Sequence, residues 1–241
     1  MKKAKIFITI FFITLFSFSN GLSIFAMETG FSTTELSNNS ATSFISNINL
    51  KKIDSYTPKN EIECFDVNSN EMIALGFKNS ENKTIGIYNT EGIFQYGYEF
   101  QCYGTFGVEW DNDNLNIYFV RENIAISVNS DGIIQSILEI QNTTENNTYW
   151  NKNVFQKEKT VDQKKFLLQN NKSFFSNINS SSYSQIISID AYGNEKIIYN
   201  VNTEQTIKDI DISIGIIFTF IIVAIIAIIK ITRTHRTKTH K

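Results

Sequence analysis

"IGIYNTEGIFQYGYEF", from Ile85 to Phe100, and "AISVNSDGIIQSILEI", from Ala125 to Ile140, align without a gap. In both, β-branched and aromatic residues lead into Asn-x-(Glu/Asp)-Gly, and a second apolar run follows. Asn folds its side chain back onto nearby backbone, and Gly takes the positive φ that a hairpin turn demands. A third copy, "ISIDAYGNEKIIYNV", begins at Ile187. Gly92, Gly132 and Gly193 each stand four residues after an equivalent strand residue, Tyr88, Val128 and Ile189. The chain is therefore read as hairpins of one design, used repeatedly.

Working outward, "FDVNSNEMIALGF" from Phe65 aligns with "VEWDNDNLNIYFV" from Val108. Strands are predicted near 61–67, 71–77, 84–89 and 93–100, then near 104–110, 115–121, 124–129 and 133–140. A third unit with a longer, altered first half runs from about Gln156 to Val201. A period of roughly 40 residues with four strands per unit is the spacing of β-propeller blades. At "YNTEG" and "VNSDG" the chain resembles the blades of NHL-like and related propellers. "IQNTTENNTYW" from Ile140 and "SSYSQIISIDAYG" from Ser181 carry a second resemblance, to uncharacterised single-span surface proteins of low-GC Gram-positive bacteria. These resemblances imply a layout and no chemistry. Three units fall short of the four to eight of a closed propeller. The expected class is mainly β: antiparallel four-stranded blade-like repeats, as a partial propeller or a β-sandwich, plus one C-terminal transmembrane helix. Edges left open need cover from the 141–182 insertion, from the lead-in or from another subunit.

The ends set the topology. Ile212 to Ile229 carry no charge, ten of the eighteen being Ile, and Lys230, Arg233, Arg236, Lys238 and Lys241 follow. Its thirteen Ile, Phe and Val residues favour insertion by roughly 4–8 kcal/mol. As a helix it is about 27 Å long, close to the hydrocarbon thickness of a bilayer. At the other end, Lys2, Lys3 and Lys5 precede an apolar run from Ile6 to Phe18, with Ala26 or Gly21 as the cleavage point. That is the pattern of a secretory signal. The expected organisation is a signal peptide over 1–26, a flexible lead-in over 27–60 and an extracellular repeat domain over 61–201. A juxtamembrane connector over 202–211, a span over 212–231 and a basic cytoplasmic tail over 232–241 complete it.

All 24 acidic residues lie between Glu28 and Asp211, where only 14 of the 22 Lys and Arg fall. The net −2 of the whole chain hides this acidic middle, which excludes a nucleic-acid-binding surface. Both histidines, His235 and His240, sit in the tail. The exported part therefore lacks the usual Ser–His and Cys–His pairs and the commonest zinc ligand.

Three groups of residues remain to weigh. Glu109, Asp111 and Asp113 are the densest carboxylates, but they lack the central Gly and distal Glu of a calcium loop, and read first as a turn. Tyr96, Tyr98 and Phe100 alternate toward Trp110. They form either a stacking platform for a sugar or peptide, or bulk packed between sheets. Cys64 and Cys102 both fall in the exported part, where a disulfide can form. No cofactor is expected. The resulting expectation is a single-pass membrane protein, not an enzyme, whose outer β domain binds an envelope polymer, a peptide or a membrane-protein partner. The alternatives are an accessory subunit of a membrane complex and a carboxylate-dependent hydrolase.

Overall fold

The region expected to be a flexible lead-in is folded. The structure, a computed structural model, describes residues 27–56, 60–79, 81–170 and 182–201. The expected signal peptide, connector, membrane span and tail lie outside those residues. The chain divides after Tyr199 into two compact units, the first of which holds the sheets. Among the described residues no helix is long and apolar enough to cross a membrane.

The lead-in forms β1 (Thr33–Glu35), α1 (Asn38–Ile48) and β2 (Lys51–Ile53). Ser37 caps α1 by accepting the Ser40 N–H, and Asn49 ends the helix in the left-handed region at φ 46°. Strands of three residues are too short to show alternation, and α1 has few apolar residues. That is why the sequence pattern missed them. Their stability comes from tertiary contact: Ile48 is buried, and Phe44 meets the Phe119 ring at 4.9 Å. Burying a side chain such as Ile48 is worth about 1.5–3 kcal/mol.

Three antiparallel meanders follow, the first two close to the expected strand boundaries and the third within the expected 156–201 unit. The first is β3 (Ile62–Val67), β4 (Ile73–Phe77), β5 (Asn82–Tyr88) and β6 (Phe94–Gln101). The second is β7 (Phe106–Asp111), β8 (Asn114–Phe119), β9 (Ile124–Val128) and β10 (Ile134–Ile140). After α2 (Thr144–Tyr149) and a π-helical turn (Trp150–Val154) comes the third. It consists of β11 (Glu158–Val161), β12 (Lys164–Gln169), β13 (Gln185–Ile189) and β14 (Glu195–Asn200). The lead-in extends two of the sheets, giving the orders β2-β6-β5-β4-β3, β1-β10-β9-β8-β7 and β11-β12-β13-β14. Outer-edge backbone groups of β6 and β10 that would otherwise face water or another chain are thus paired.

The repeated turn is the same in all three sheets. Asn89 Oδ1 accepts the Glu91 and Ile93 N–H groups, Asn129 Oδ1 those of Asp131 and Ile133, and Asp190 Oδ1 those of Tyr192 and Asn194. Gly92, Gly132 and Gly193 close the turns at φ 78°, 82° and 83°.

The first sheet is the middle layer. Alternation along β4 sends Ala74 and Gly76 to one face and Ile73, Leu75 and Phe77 to the other, and all five are buried. The first face packs on the second sheet, sharing a core of Ile85, Ile87, Tyr98, Phe106, Ile117 and Ile126. Toward the third sheet, Phe77 and Tyr88 meet Tyr199 at ring distances of 5.1 and 5.7 Å. The first strands of the three sheets converge on one carboxylate. Asp66 of β3 accepts the Trp110 N–H of β7 at 2.7 Å and pairs with the Lys159 ammonium of β11.

Two expectations follow. Gly193→Ala should cost about 1–2 kcal/mol, from the left-handed backbone alone, because a Cβ there meets nothing within 4 Å. A Cβ on Gly92 would come within 2.3 Å of the Ile198 carbonyl oxygen, so Gly92→Ala should cost about 1–3 kcal/mol more, from overpacking. Denaturant midpoints of the two variants measure the difference.

The second concerns pH. Burial raises Asp66 above its ordinary 3.8, against the opposing pull of Lys159 and the Trp110 N–H. The fold thus favours the protonated carboxyl. That contribution is complete below 3.8 and is lost as pH rises through the raised value. Asp66→Asn keeps an acceptor for Trp110 and removes this step. The stability of the parent relative to Asp66→Asn should therefore fall across that window, as read by denaturation at several pH values.

Candidate functional site

The outer face of the second sheet, away from the first, carries an unusual polar strip. Residues opposite each other across β7 and β8 share a face, and their register pairs Gly107 with Tyr118, Glu109 with Asn116 and Asp111 with Asn114. Gly107 lets the next layer approach, since a Cβ there would lie 2.2 Å from Val154 Cγ1. That layer is the α2 and π-helical segment together with a strap, residues 27–32. Met27, Phe31, Tyr118, Ala125, Ile140, Trp150 and Val154 form its apolar core. Phe31 lies among three rings, with centroid distances of 5.0 Å to Tyr118, 4.6 Å to Tyr149 and 4.5 Å to Trp150.

The strap is tied to the strip by hydrogen bonds. The Glu28 N–H donates to Asp111 Oδ2 at 2.8 Å, and Asn116 Nδ2 donates to the Glu28 carbonyl at 2.8 Å. Thr29 Oγ1 bonds the Tyr118 hydroxyl at 2.8 Å. Asn146 of α2 holds Ser32 at both ends: its Oδ1 accepts the Ser32 N–H and its Nδ2 donates to the Ser32 carbonyl, each at 2.9 Å. Glu109 joins the layers by accepting the Tyr118 and Tyr149 hydroxyls, both at 2.5 Å. Burial first, and then the Glu109 carboxylate, push both phenols upward, so they remain donors.

Where strap, β7 and α2 meet, an open cleft of about 670 Å³ is bordered by residues 27–30 and 109–112 and by Tyr149. Glu28, Glu109 and Asp111 border it, and no Lys, Arg or His among the described residues does. Such a rim suits a cationic or hydrogen-donating group. Among the described residues, Asn116 Oδ1 and Trp110 Nε1 are buried without a hydrogen-bond partner. Asn116 itself is fully buried and sits directly opposite Glu109.

The residues singled out from sequence are distributed unevenly. Glu109 and Asp111 both reach the cleft, while Asp113 lies exposed in the β7–β8 turn, beside Asn112 at φ 54°. Among the described residues no group of three or more His, Cys, Asp or Glu is placed to hold a metal. The aromatic platform is corrected. Tyr98 and Phe100 are buried in the core between the first and second sheets, where Phe100 meets Phe106 at 5.2 Å and Phe119 at 5.5 Å. Tyr98 donates its hydroxyl to the Asn129 carbonyl at 2.8 Å. Tyr96 and Trp110 are half-buried against that core, so the four do not share an open stacking surface. Facing β-sheets need bulk between them, and alternation delivered it there. Cys64 and Cys102 are free, buried thiols, both pushed upward chiefly by burial.

Sequence reading missed Tyr149, Asn146 and the strap. Each lies far along the chain from Glu109, and no local spacing joins them. No protein-family model, curated protein or solved structure matches this chain.

The crossing of strap and α2 can be tested at Gly30. A Cβ there would lie 1.9 Å from Tyr149 Cε2, so Gly30→Ala must displace the ring and break its bond to Glu109. We expect a loss of about 1–3 kcal/mol, shrinking to a few tenths when Tyr149→Ala has already removed the ring. A double-mutant denaturation cycle reads this coupling.

Proposed function

We propose that this chain is a single-span protein of the bacterial cell membrane whose β-rich unit faces outward and binds a ligand or partner. The observation that carries the proposal is the charge asymmetry of its ends. The uncharged run Ile212 to Ile229 leads straight into five cations without an acid, as the cytoplasmic side of a span does. The N-terminal cationic and apolar segments add the export signal. Three antiparallel sheets, each with the same Asn/Asp…Gly turn in one of its hairpins, support blade-like repeats of propeller type, arranged as an open stack.

Binding is favoured over catalysis by the chemistry of the cleft. The exported part has no histidine. Both oxygens of Glu109 accept phenol protons, and Asp111 accepts a backbone N–H, so these carboxylates position the layers. The hydrolase alternative draws on Glu109 and Asp111 sharing one cleft, but it needs a carboxylate free to move a proton. An acidic rim beside Tyr149 matches a cationic group on a peptide, an envelope polymer or a membrane-protein partner.

Protease added to intact cells should remove the strand-rich region and spare the last dozen residues, as read with antibodies to each end. Protection of the strand-rich region with loss of the tail would refute the topology. A tagged protein drawn from envelope extracts should retain one molecule reproducibly, and weakening of its retention in Glu28→Gln would tie binding to the cleft.

A further inference from the structure

The strap is anchored from its first residue. Met27 is 8 % exposed with its side chain in the apolar core over the second sheet, and Glu28 is held by its N–H and by its carbonyl. Met27 is also the residue that follows Ala26, the cleavage point read from the sequence. Consecutive backbone nitrogens lie no more than about 3.7 Å apart. With Glu28 N at 2.8 Å from Asp111 Oδ2, the Met27 nitrogen lies within about 6.5 Å of that carboxylate.

We propose that a membrane signal peptidase cuts between Ala26 and Met27, and that the α-ammonium so released pairs with Asp111 and locks the strap across the cleft. The inference rests on the export reading above. Water supplies the balance: the Ala26–Met27 C–N bond breaks, hydroxyl completes the Ala26 carboxyl, and the Met27 nitrogen takes up protons to become an ammonium. That group brings three donors and a positive charge. The surroundings are rich in acceptors, and among the described residues no competing cation borders the cleft. Asp111 and Glu109 lie on β7, Glu28 on the strap, and the fully buried Asn116 offers an Oδ1 that lacks a donor. The other titratable groups facing the site are the hydroxyls of Tyr118 and Tyr149, both committed to Glu109.

Alternatives place the charge elsewhere. An uncut chain has a neutral amide at Met27. Cleavage after Gly21 leaves five extra residues, which can carry the ammonium up to about 17 Å away. Cleavage at Ala26 fixes the new charge on the residue next to Glu28, whose N–H is bound to Asp111.

The test uses the full-length protein, expressed with its own N-terminus and purified from membranes in detergent. N-terminal sequencing should read Met27 first. A first residue of Leu22 overturns the proposal and leaves export intact, whereas Met1 overturns the cleaved-signal reading itself. The α-amine, labelled by ¹³C reductive methylation, is then titrated by NMR. Its midpoint should lie above the ordinary value of about 7.7–8.0 in the folded protein and return there in Asp111→Asn. A folded midpoint equal to that in denaturant overturns the pairing, and this comparison stands even if Asp111→Asn does not fold.

Discussion

A carboxylate that is almost wholly buried ties together the first strands of the three meanders. Asp66 lies on β3 of the middle sheet, takes the Trp110 N–H from the second and pairs with Lys159 from the third. Removing such a group from water is costly, and its upward-shifted protonation shows that the partners offset only part of that cost. Its effect is on arrangement: it draws one donor from the second sheet and one from the third to a single point on β3. A second tie, Lys164 to Glu71 at 2.5 Å, joins the neighbouring hairpin turns of the first and third sheets.

An open stack has problems that a closed ring lacks, because its outermost faces and edges need cover. This chain supplies the cover from segments outside the meanders. The β1 and β2 strands complete two outer edges, α1 inserts Ile48 and Phe44 at the first interface, and the strap with α2 closes the far face of the second sheet. The result explains why β8 and β9, although on an outer sheet, are buried along almost their whole lengths. It also explains the polar strip. Glu109, Asn116 and Tyr118 lie under a strap made largely of backbone, whose N–H and carbonyl groups require partners.

The cleft is a product of that closure. It lies where strap, β7 and α2 fail to seal completely, and the carboxylates on its border give it an acidic character. Glu109 ties β7 to β8 and to α2 by accepting from Tyr118 and Tyr149, while the strap is held beside it through Asp111 and Asn116.

The sequence alone determined the strand boundaries of the first two meanders within a few residues, the existence of the third, and the three turns at Gly92, Gly132 and Gly193. These depend on local rules: alternation along a strand, Asn or Asp folding onto its own backbone, and Gly accepting positive φ. It also marked Glu109, Asp111 and Asp113 as the densest carboxylates but read them as a turn, whereas Glu109 and Asp111 lie on β7. Tertiary structure alone decided that the residues after Met27 are a strap, that 33–53 are edge strands and a helix, and that Tyr98 and Phe100 are core. Three-residue strands and a polar helix carry too little pattern to be read locally, and the strands' order comes from partners 44 to 107 positions away. The same distance separates Glu28 from Asp111 and Asp66 from Lys159. Spacing along the chain encodes local geometry, whereas these contacts exist only once the sheets have stacked.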